Sequence, residues 1–390
     1  MMKALILAAG RGTRVRPLTD SLPKPMIPIV NKPVMEFLVE HLRHYGFDQI
    51  MVNTSYMAPR IEQYFGDGQR FGVEMAYSFE GREEDGTLID APLGSAGAIR
   101  KIHDHSGFFD KTFAVLCGDA VVDLDFEALL RFHREHRALA TIALREAPEE
   151  EVSNYGVVVQ DADGRITAFQ EKPKREEAKS RLVNTGIYLF EPEILGWIPE
   201  HGPYDIGGEL FPKLAEVGER LYGLNLDTPW RWLDIGRTQD FHAVSMKALQ
   251  GEIRGFAIPG REVRPGVWMG LNVNIDLDRV KIMPPVFIGG SAEVQDGASL
   301  VGPVLIGAGS VVEGGAHVER TVVMEHTRIG GNAYFKDKIV GSHYCADTDG
   351  TVLDGRHTDT AWLFADARSL DNGLTADQED ILDLAMRHPA

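Results

Sequence analysis

The sequence is short of cysteine, of long apolar runs and of positive charge. Only Cys117 and Cys345 occur among 390 residues, which excludes a disulfide framework and fits a reducing, cytoplasmic setting. No apolar stretch reaches the roughly 18 residues needed to span a bilayer. The opening run, Met1 to Gly10, is followed at once by Arg11, Arg14 and Arg16 without a cleavage site, so a signal peptide is not expected. Lysine and arginine number 40 against 58 acidic residues, a net charge of −18. Such a surface repels polyanions, so neither nucleic acid nor a membrane is an expected partner. A small anionic substrate remains open, because it responds to the field of one pocket. At roughly 100–200 residues per domain, the length allows two or three domains, each with a core of its own.

Residues 1–250 alternate short apolar runs with helix-period segments. Lys3–Ala9, Gln49–Asn53 and Phe113–Cys117 read as strands. Pro33–Tyr45, the stretch near Ile61–Phe65, and Phe126–His136 read as helices, the first opening on proline and stopping at Gly46. This alternation predicts a Rossmann-like α/β domain with a mostly parallel sheet. Glycine and proline crowd 251–275, at Gly251, Gly255, Pro259, Gly260, Pro265, Gly266 and Gly270, and predict a linker. From Ile282 an aliphatic residue or methionine recurs every sixth position, through Ile288, Val294, Leu300, Ile306, Val312 and Val318 to Met324. Small residues precede several of them by two: Ala292, Ala298, Ser310 and Ala316. No helix or hairpin keeps that period, so 276–345 is expected to be a short left-handed parallel β-helix. The tail, 346–390, carries Thr375-Ala-Asp-Gln378, the form of a capping box opening a terminal helix.

The first strand runs into Gly10-Arg-Gly12-Thr13-Arg14-Val15-Arg16, followed by Pro23-Lys24-Pro25. Glycines after a strand let backbone N–H groups converge on an anion, and four cations here face one acid, Asp20. A dinucleotide fingerprint would need glycine where Val15 stands, and a P-loop would need Gly-Lys-Ser/Thr. The run from Ala8 to Pro25 resembles the signature of the nucleoside-diphosphate-sugar pyrophosphorylases, or sugar-1-phosphate nucleotidylyltransferases. Pro92-Leu-Gly94-Ser95-Ala-Gly97, Gly118-Asp119, Tyr155-Gly156, Glu171-Lys172-Pro173, Asn184-Thr-Gly186 and Trp232-Leu-Asp234-Ile-Gly236 extend the resemblance in the family's order. Within that family the sequence is most similar to bacterial mannose-1-phosphate guanylyltransferases and cyanobacterial-type UDP-glucose pyrophosphorylases.

The resemblance implies transfer of a nucleotidyl group from an NTP to a hexose 1-phosphate, with release of pyrophosphate. It implies Arg14 and Lys24 as catalytic residues, Lys24 beside the α-phosphate. Ala9, Gly10, Gly12, Thr13, Glu80, Leu93, Gly94 and Ser95 would hold the nucleotide. Tyr155, Gly156, Glu171, Lys172, Asn184 and Gly186 would hold the sugar phosphate, and Asp119 with Asp234 would hold Mg²⁺. Ser95 stands where the family more often has threonine, and Arg237-Thr238 follows Gly236 where the family usually has Thr-Pro. Asp123 and Asp125 read as turn and helix-start residues. His133 and His136 lack the spacing of a zinc motif and read as an exposed helix face.

Glu80 ends an apparent strand, Glu74–Phe79, where relatives carry a base-reading glutamine or glutamate. A carboxylate only accepts, and guanine offers two adjacent donors where uracil offers one. GTP with mannose 1-phosphate is therefore slightly ahead of UTP with glucose 1-phosphate. Two other readings are a regulatory subunit that binds NDP-sugar without turnover, and an acyltransferase in the hexapeptide segment using His317 or His326. Exposed coil ends make a homo-oligomer the expected assembly.

Overall fold

The computed structural model describes residues 1–84, 87–226, 230–253, 256–356 and 360–369. Strand Met2–Ala8 runs parallel between Phe47–Thr54 and Phe113–Cys117. Its side chains alternate between two cores. Ala4, Ile6 and Ala8 enter one with Leu38 of helix Val34–His44 and Leu129 of helix Phe126–Glu135; Leu5 enters the other with Ile99 of helix Gly94–Ser106. A strand apolar on both faces is what a parallel sheet covered on both sides requires. Glu74–Phe79 extends the parallel part beyond Phe47–Thr54, while Leu182–Phe190 joins Phe113–Cys117 antiparallel. The sheet has nine strands. From Met2–Ala8 the next strand in sequence lies on one side and Phe113–Cys117 on the other, so the chain reverses its order there. The carboxyl ends of these two strands form the crevice in which open α/β sheets bind ligands.

The chain divides into two units, Met1–Pro28 with Pro33–Gly236, and Ile29–Lys32 with the residues from Arg237 onward. Helix Thr238–Leu249 thus belongs with the second unit, not with the 1–250 segment. Residues expected as a linker already form strands there, Arg261–Arg264, Val267–Met269 and Asn274–Ile275, because the glycines at 260 and 266 turn the chain between strands. Parallel pairs then stack coil on coil: Val286 on Val304, Lys281 on Ser299, Glu293 on Val311. Ile288, Val294, Leu300, Ile306, Val312 and Val318 all point into its core, and Ala292, Ala298, Ser310 and Ala316 are buried as well. The six-residue period fails at its last expected member. Pairing shortens from 18 to 17 residues, His317 lying on Tyr334, and Val323 rather than Met324 turns inward. The described residues beyond 346 are not a separate tail: Phe364–Asp366 pairs with Thr327–Ile329 and buries Phe364. The expected terminal helix lies outside the described residues.

The histidine pair departs from expectation. His133 is 1% exposed, with Nδ1 at 2.7 Å from Thr141 Oγ1 and Nε2 at 3.1 Å from Glu191 Oε1. Helix Phe126–Glu135 turns that residue onto the sheet, whereas His136 stacks on Phe132. Burial pushes the His133 imidazole below its ordinary value, against the raising effect of Glu191. The neutral ring donates to Glu191 and accepts from Thr141. The stabilisation is present above the ordinary histidine value and is lost as pH falls below it. His133→Ala is expected to cost about 2–4 kcal/mol through the cavity and the stranded polar groups. Urea denaturation at neutral pH checks this, with the loss of stability shrinking as the pH is lowered.

Candidate active site

Two chain segments at the crevice carry the charges. After Met2–Ala8 the backbone turns through Gly12, at φ +60°, where a Cβ would stand 2.9 Å from Thr19 Cγ2 and 3.0 Å from Lys24 Cβ. Only glycine fits both the angle and the space. The Gly12 carbonyl accepts from Val15 N at 3.0 Å and Thr19 Oγ1 at 2.9 Å, closing the loop. Ala9, Gly10, Thr13 and Arg14 lie along this loop, and a Cβ on Gly10 would meet nothing within 4 Å. Gly10 thus faces open space. Arg14 is exposed.

After Phe113–Cys117, Gly118 N donates to Leu7 O at 2.9 Å, fastening the second loop beside the first. Strand Ala120–Val122 pairs antiparallel with Trp232–Asp234, placing Asp234 opposite Ala120. This ladder brings Asp119 and Asp234 to one place, and Ile235 N donates to Asp119 O at 3.1 Å. Lys24, 9% exposed, points its ammonium at both: it bonds Asp119 Oδ2 and lies 3.8 Å from Asp234 Oδ1. Burial alone lowers the Lys24 pKa, but the two aspartate charges outweigh it and hold it above its ordinary value. Of the four loop cations read from the sequence, Arg16 pairs with Asp20 at 3.3 Å and Lys24 with the aspartates.

Two carboxylates held together on one cation are a donor set that suits Mg²⁺, which takes one or two carboxylates and completes its shell with phosphate oxygens and water. Among the described residues no group of three or more metal-ligating side chains occurs. Cys117 lies beside this pair. Burial and the charges of Asp119 and Asp234 push its thiol far above the ordinary range.

A second group lies across the antiparallel strands. Gly156 is paired with Glu171, and a Cβ at Gly156 or Gly207 would approach Glu171 Oε2 within 3.0 and 2.9 Å. Lys172 Nζ is 3.0 Å from Glu171 Oε1, and Tyr155 O accepts from Lys172 N at 3.2 Å. The Tyr155 ring lies 5.0 Å from that of Trp232. Asn184 donates to Tyr188 Oη at 3.0 Å and accepts from Gly186 N at 2.9 Å. At Gly186, φ +75°, a Cβ would strike Cys117 Sγ at 2.8 Å. Gly186 thus lies close against Cys117, the last residue of strand Phe113–Cys117 and two residues before Asp119.

The turn at Leu93–Ser95 opens helix Gly94–Ser106. Leu93 O accepts from Tyr204 N at 2.8 Å, while Tyr204 O takes Ala96 N and Gly97 N at 3.0 and 2.9 Å. Ser95 Oγ donates to Asp205 Oδ2 and accepts from Ile206 N, both at 2.8 Å. The hydroxyl shared by serine and threonine is therefore committed to Asp205. Glu80 is corrected in part: it is 6% exposed, accepting from Asn53 Nδ2 at 3.0 Å and from the Leu93 amide. Each of its oxygens takes one donor from the fold, which the sequence did not predict. Strand Gly81–Glu84 pairs antiparallel with Thr87–Asp90. Asp125 caps its helix by accepting from Ala128 N at 3.0 Å. Sequence reading missed Asn53, Tyr204 and Asp205. The signals were a polar residue closing an apolar strand and an acid ahead of Gly207-Gly208.

Residues 3–251 match the nucleotidyl transferase family model. The chain belongs to the nucleotidyl transferase family. Residues 282–349 match the GMPPB C-terminal domain. The nucleotidyltransferase is 52% identical to the UTP–glucose-1-phosphate uridylyltransferase of Synechocystis sp. over 367 residues, 94% of each chain. It is 34% identical to the mannose-1-phosphate guanylyltransferase catalytic subunit beta of Xenopus tropicalis over 342 residues, covering 87% of this chain and 86% of that one. These relatives place it among the sugar-phosphate nucleotidyltransferases. Among solved structures, a putative glucose-1-phosphate thymidylyltransferase from Bacillus anthracis has a TM-score of 0.54 at 24% identity, over 63% of this chain and 94% of that one. A UDP-glucose pyrophosphorylase complexed with UDP-glucose has a TM-score of 0.54 at 22% identity, over 64% and 99%. These two share the fold. No helix among the described residues is long and apolar enough to cross a membrane.

Proposed function

We propose that the enzyme joins UTP and glucose 1-phosphate to give UDP-glucose and pyrophosphate, in the cytoplasm. The observation that carries the chemistry is the convergence of Lys24, Asp119 and Asp234 at the crevice beside the glycine loop. The choice of base and sugar rests on the relative that is 52% identical over 94% of both chains.

In this reading the loop from Ala9 to Arg14 binds the leaving phosphates, and Leu93, Gly94 and Ser95 flank the nucleoside. Tyr155, Gly156, Glu171, Lys172, Asn184 and Gly186 hold the sugar phosphate. Its Lys172 ammonium, 56% exposed at the side chain, pairs the incoming phosphate, and Glu171 accepts sugar hydroxyls. One phosphate oxygen of the sugar phosphate attacks the α-phosphorus, and the bond to the β-phosphate oxygen breaks in line. Lys24 leaves the carboxylates for the α-phosphate as charge builds there; this is positioning and neutralisation, with no acid or base required. Asp119 and Asp234 would hold Mg²⁺, which when bound supplies further neutralisation of the phosphates.

GTP with mannose 1-phosphate is the second reading, favoured by the GMPPB C-terminal match and the 34% relative. Pyrophosphate release with Mg²⁺, over a matrix of NTPs and hexose 1-phosphates, separates them. A dominant UTP–glucose 1-phosphate cell is expected. A dominant GTP–mannose 1-phosphate cell keeps the chemistry and reverses the specificity. Nucleotide-sugar binding without release in any cell refutes catalysis in favour of a regulatory subunit.

A further inference from the structure

Glu80 is a carboxylate taken out of solvent, 6% exposed, and such a group must be met by donors. They come from two directions. Asn53, 3% exposed near the end of strand Phe47–Thr54, donates from Nδ2 to Oε2 at 3.0 Å; the Leu93 amide donates to Oε1. The Glu80 backbone is anchored too. Its N–H donates to Thr54 O at 2.7 Å, and its carbonyl accepts from Ser55 Oγ at 3.0 Å. Asn53 is itself paired with Leu7, just before the glycine loop. Glu80 therefore joins the strand ends of the crevice to the turn that opens helix Gly94–Ser106.

We propose that Asn53–Glu80–Leu93 is a positioning latch. It fixes the Leu93–Ser95 turn, and Glu80 acts on the nucleotide through that turn instead of reading the base. This rests on the turn's place beside the nucleoside in the proposed function. The residue types follow from donor counting. As placed, Leu93 N–H and Asn53 Nδ2 both donate, so position 80 meets two donors, and a carboxylate accepts from both. Glutamine at position 80 offers one acceptor and one donor; satisfying Leu93 turns its amide nitrogen toward Asn53 Nδ2, and the present bond is lost until Asn53 reorients its own amide. Aspartate at position 53 reverses the sense of that contact. The glutamine nitrogen then donates to the aspartate while its oxygen still accepts from Leu93. The pair keeps its single negative charge.

The test is calorimetric titration of wild type and variants with UTP and with GTP, Mg²⁺ present. Glu80→Gln is expected to weaken both nucleotides alike, about tenfold, as a buried donor loses its partner. Asn53→Ala should weaken both by a few-fold. The double variant Asn53→Asp/Glu80→Gln should return affinity to within about threefold of wild type, a rescue that base reading does not predict. A changed UTP-to-GTP ratio in Glu80→Gln, unrestored by Asn53→Asp, overturns the latch and returns Glu80 to the base. If circular dichroism shows Glu80→Gln unfolded, Asn53→Ala decides: equal weakening of both nucleotides supports the latch, and unchanged affinity overturns it. A wild type that binds neither nucleotide overturns the functional reading and the latch with it. Wild-type binding with an unrestored double variant overturns the latch alone.

Discussion

Asp119→Asn is expected to lower kcat by roughly 10³-fold, about 4 kcal/mol of transition-state stabilisation, while leaving the fold intact. The substitution keeps the shape of the side chain and removes its charge. Asp119 faces Lys24 and stands beside Asp234 because the Ala120–Val122 and Trp232–Asp234 strands are paired. Without that charge one of the two carboxylates proposed to hold a divalent cation is gone, and the ammonium keeps only the more distant partner, at 3.8 Å. Two measurements check this. Pyrophosphate release gives the rate, and Mn²⁺ titration followed by electron paramagnetic resonance should show weakened metal binding. An Asp119→Asn variant that turns over at the wild-type rate removes Asp119 from the reaction.

Lys24→Met is expected to be nearly as severe, about 10²–10³-fold in kcat, the range for losing one preorganised electrostatic donor in a water-excluded site. The side chain is 9% exposed and its stem lies close against Gly12, so a solvent cation has little room to substitute for it. Methionine keeps the stem and removes the ammonium. Asp119 and Asp234 then face each other without the shared cation, and a lower thermal midpoint should accompany the lost activity. The Lys24→Met/Asp119→Asn double variant should lose far less than the product of the single losses, since each removes the partner of the other. Single-turnover rates and differential scanning calorimetry on the three variants test both statements.

Strand and helix positions in the first unit were legible because each is a local matter of apolar period and end chemistry. Phe113–Cys117 coincides with its sequence reading, and Phe126–Glu135 begins directly after its cap, Asp125. The six-residue repeat was legible for the same reason as far as Val318. It went wrong at Met324, because the shortened coil is set by pairing between coils, as with Val323 opposite Val340, and not by the local pattern. His133 was misread because helical spacing gives the relative direction of side chains. It does not say which direction meets the sheet. Glu80 was identified as a residue of consequence, but its partners, Asn53 and Leu93, come from separate segments whose approach depends on the sheet.

By itself the amino-acid sequence determined the chemistry available: a glycine loop after a strand, cations in an acidic chain, the ordered motifs and the repeat. Each depends on residues close together in the chain, where backbone geometry and side-chain type are enough. Only the tertiary structure decided that Lys24 lies against Asp119 and Asp234, that Ser95 is held by Asp205, and that Glu80 faces inward to Asn53 and Leu93. Those contacts are made by strand register and by the crossing of the chain at the crevice. They join residues far apart in sequence, where no local period carries the information.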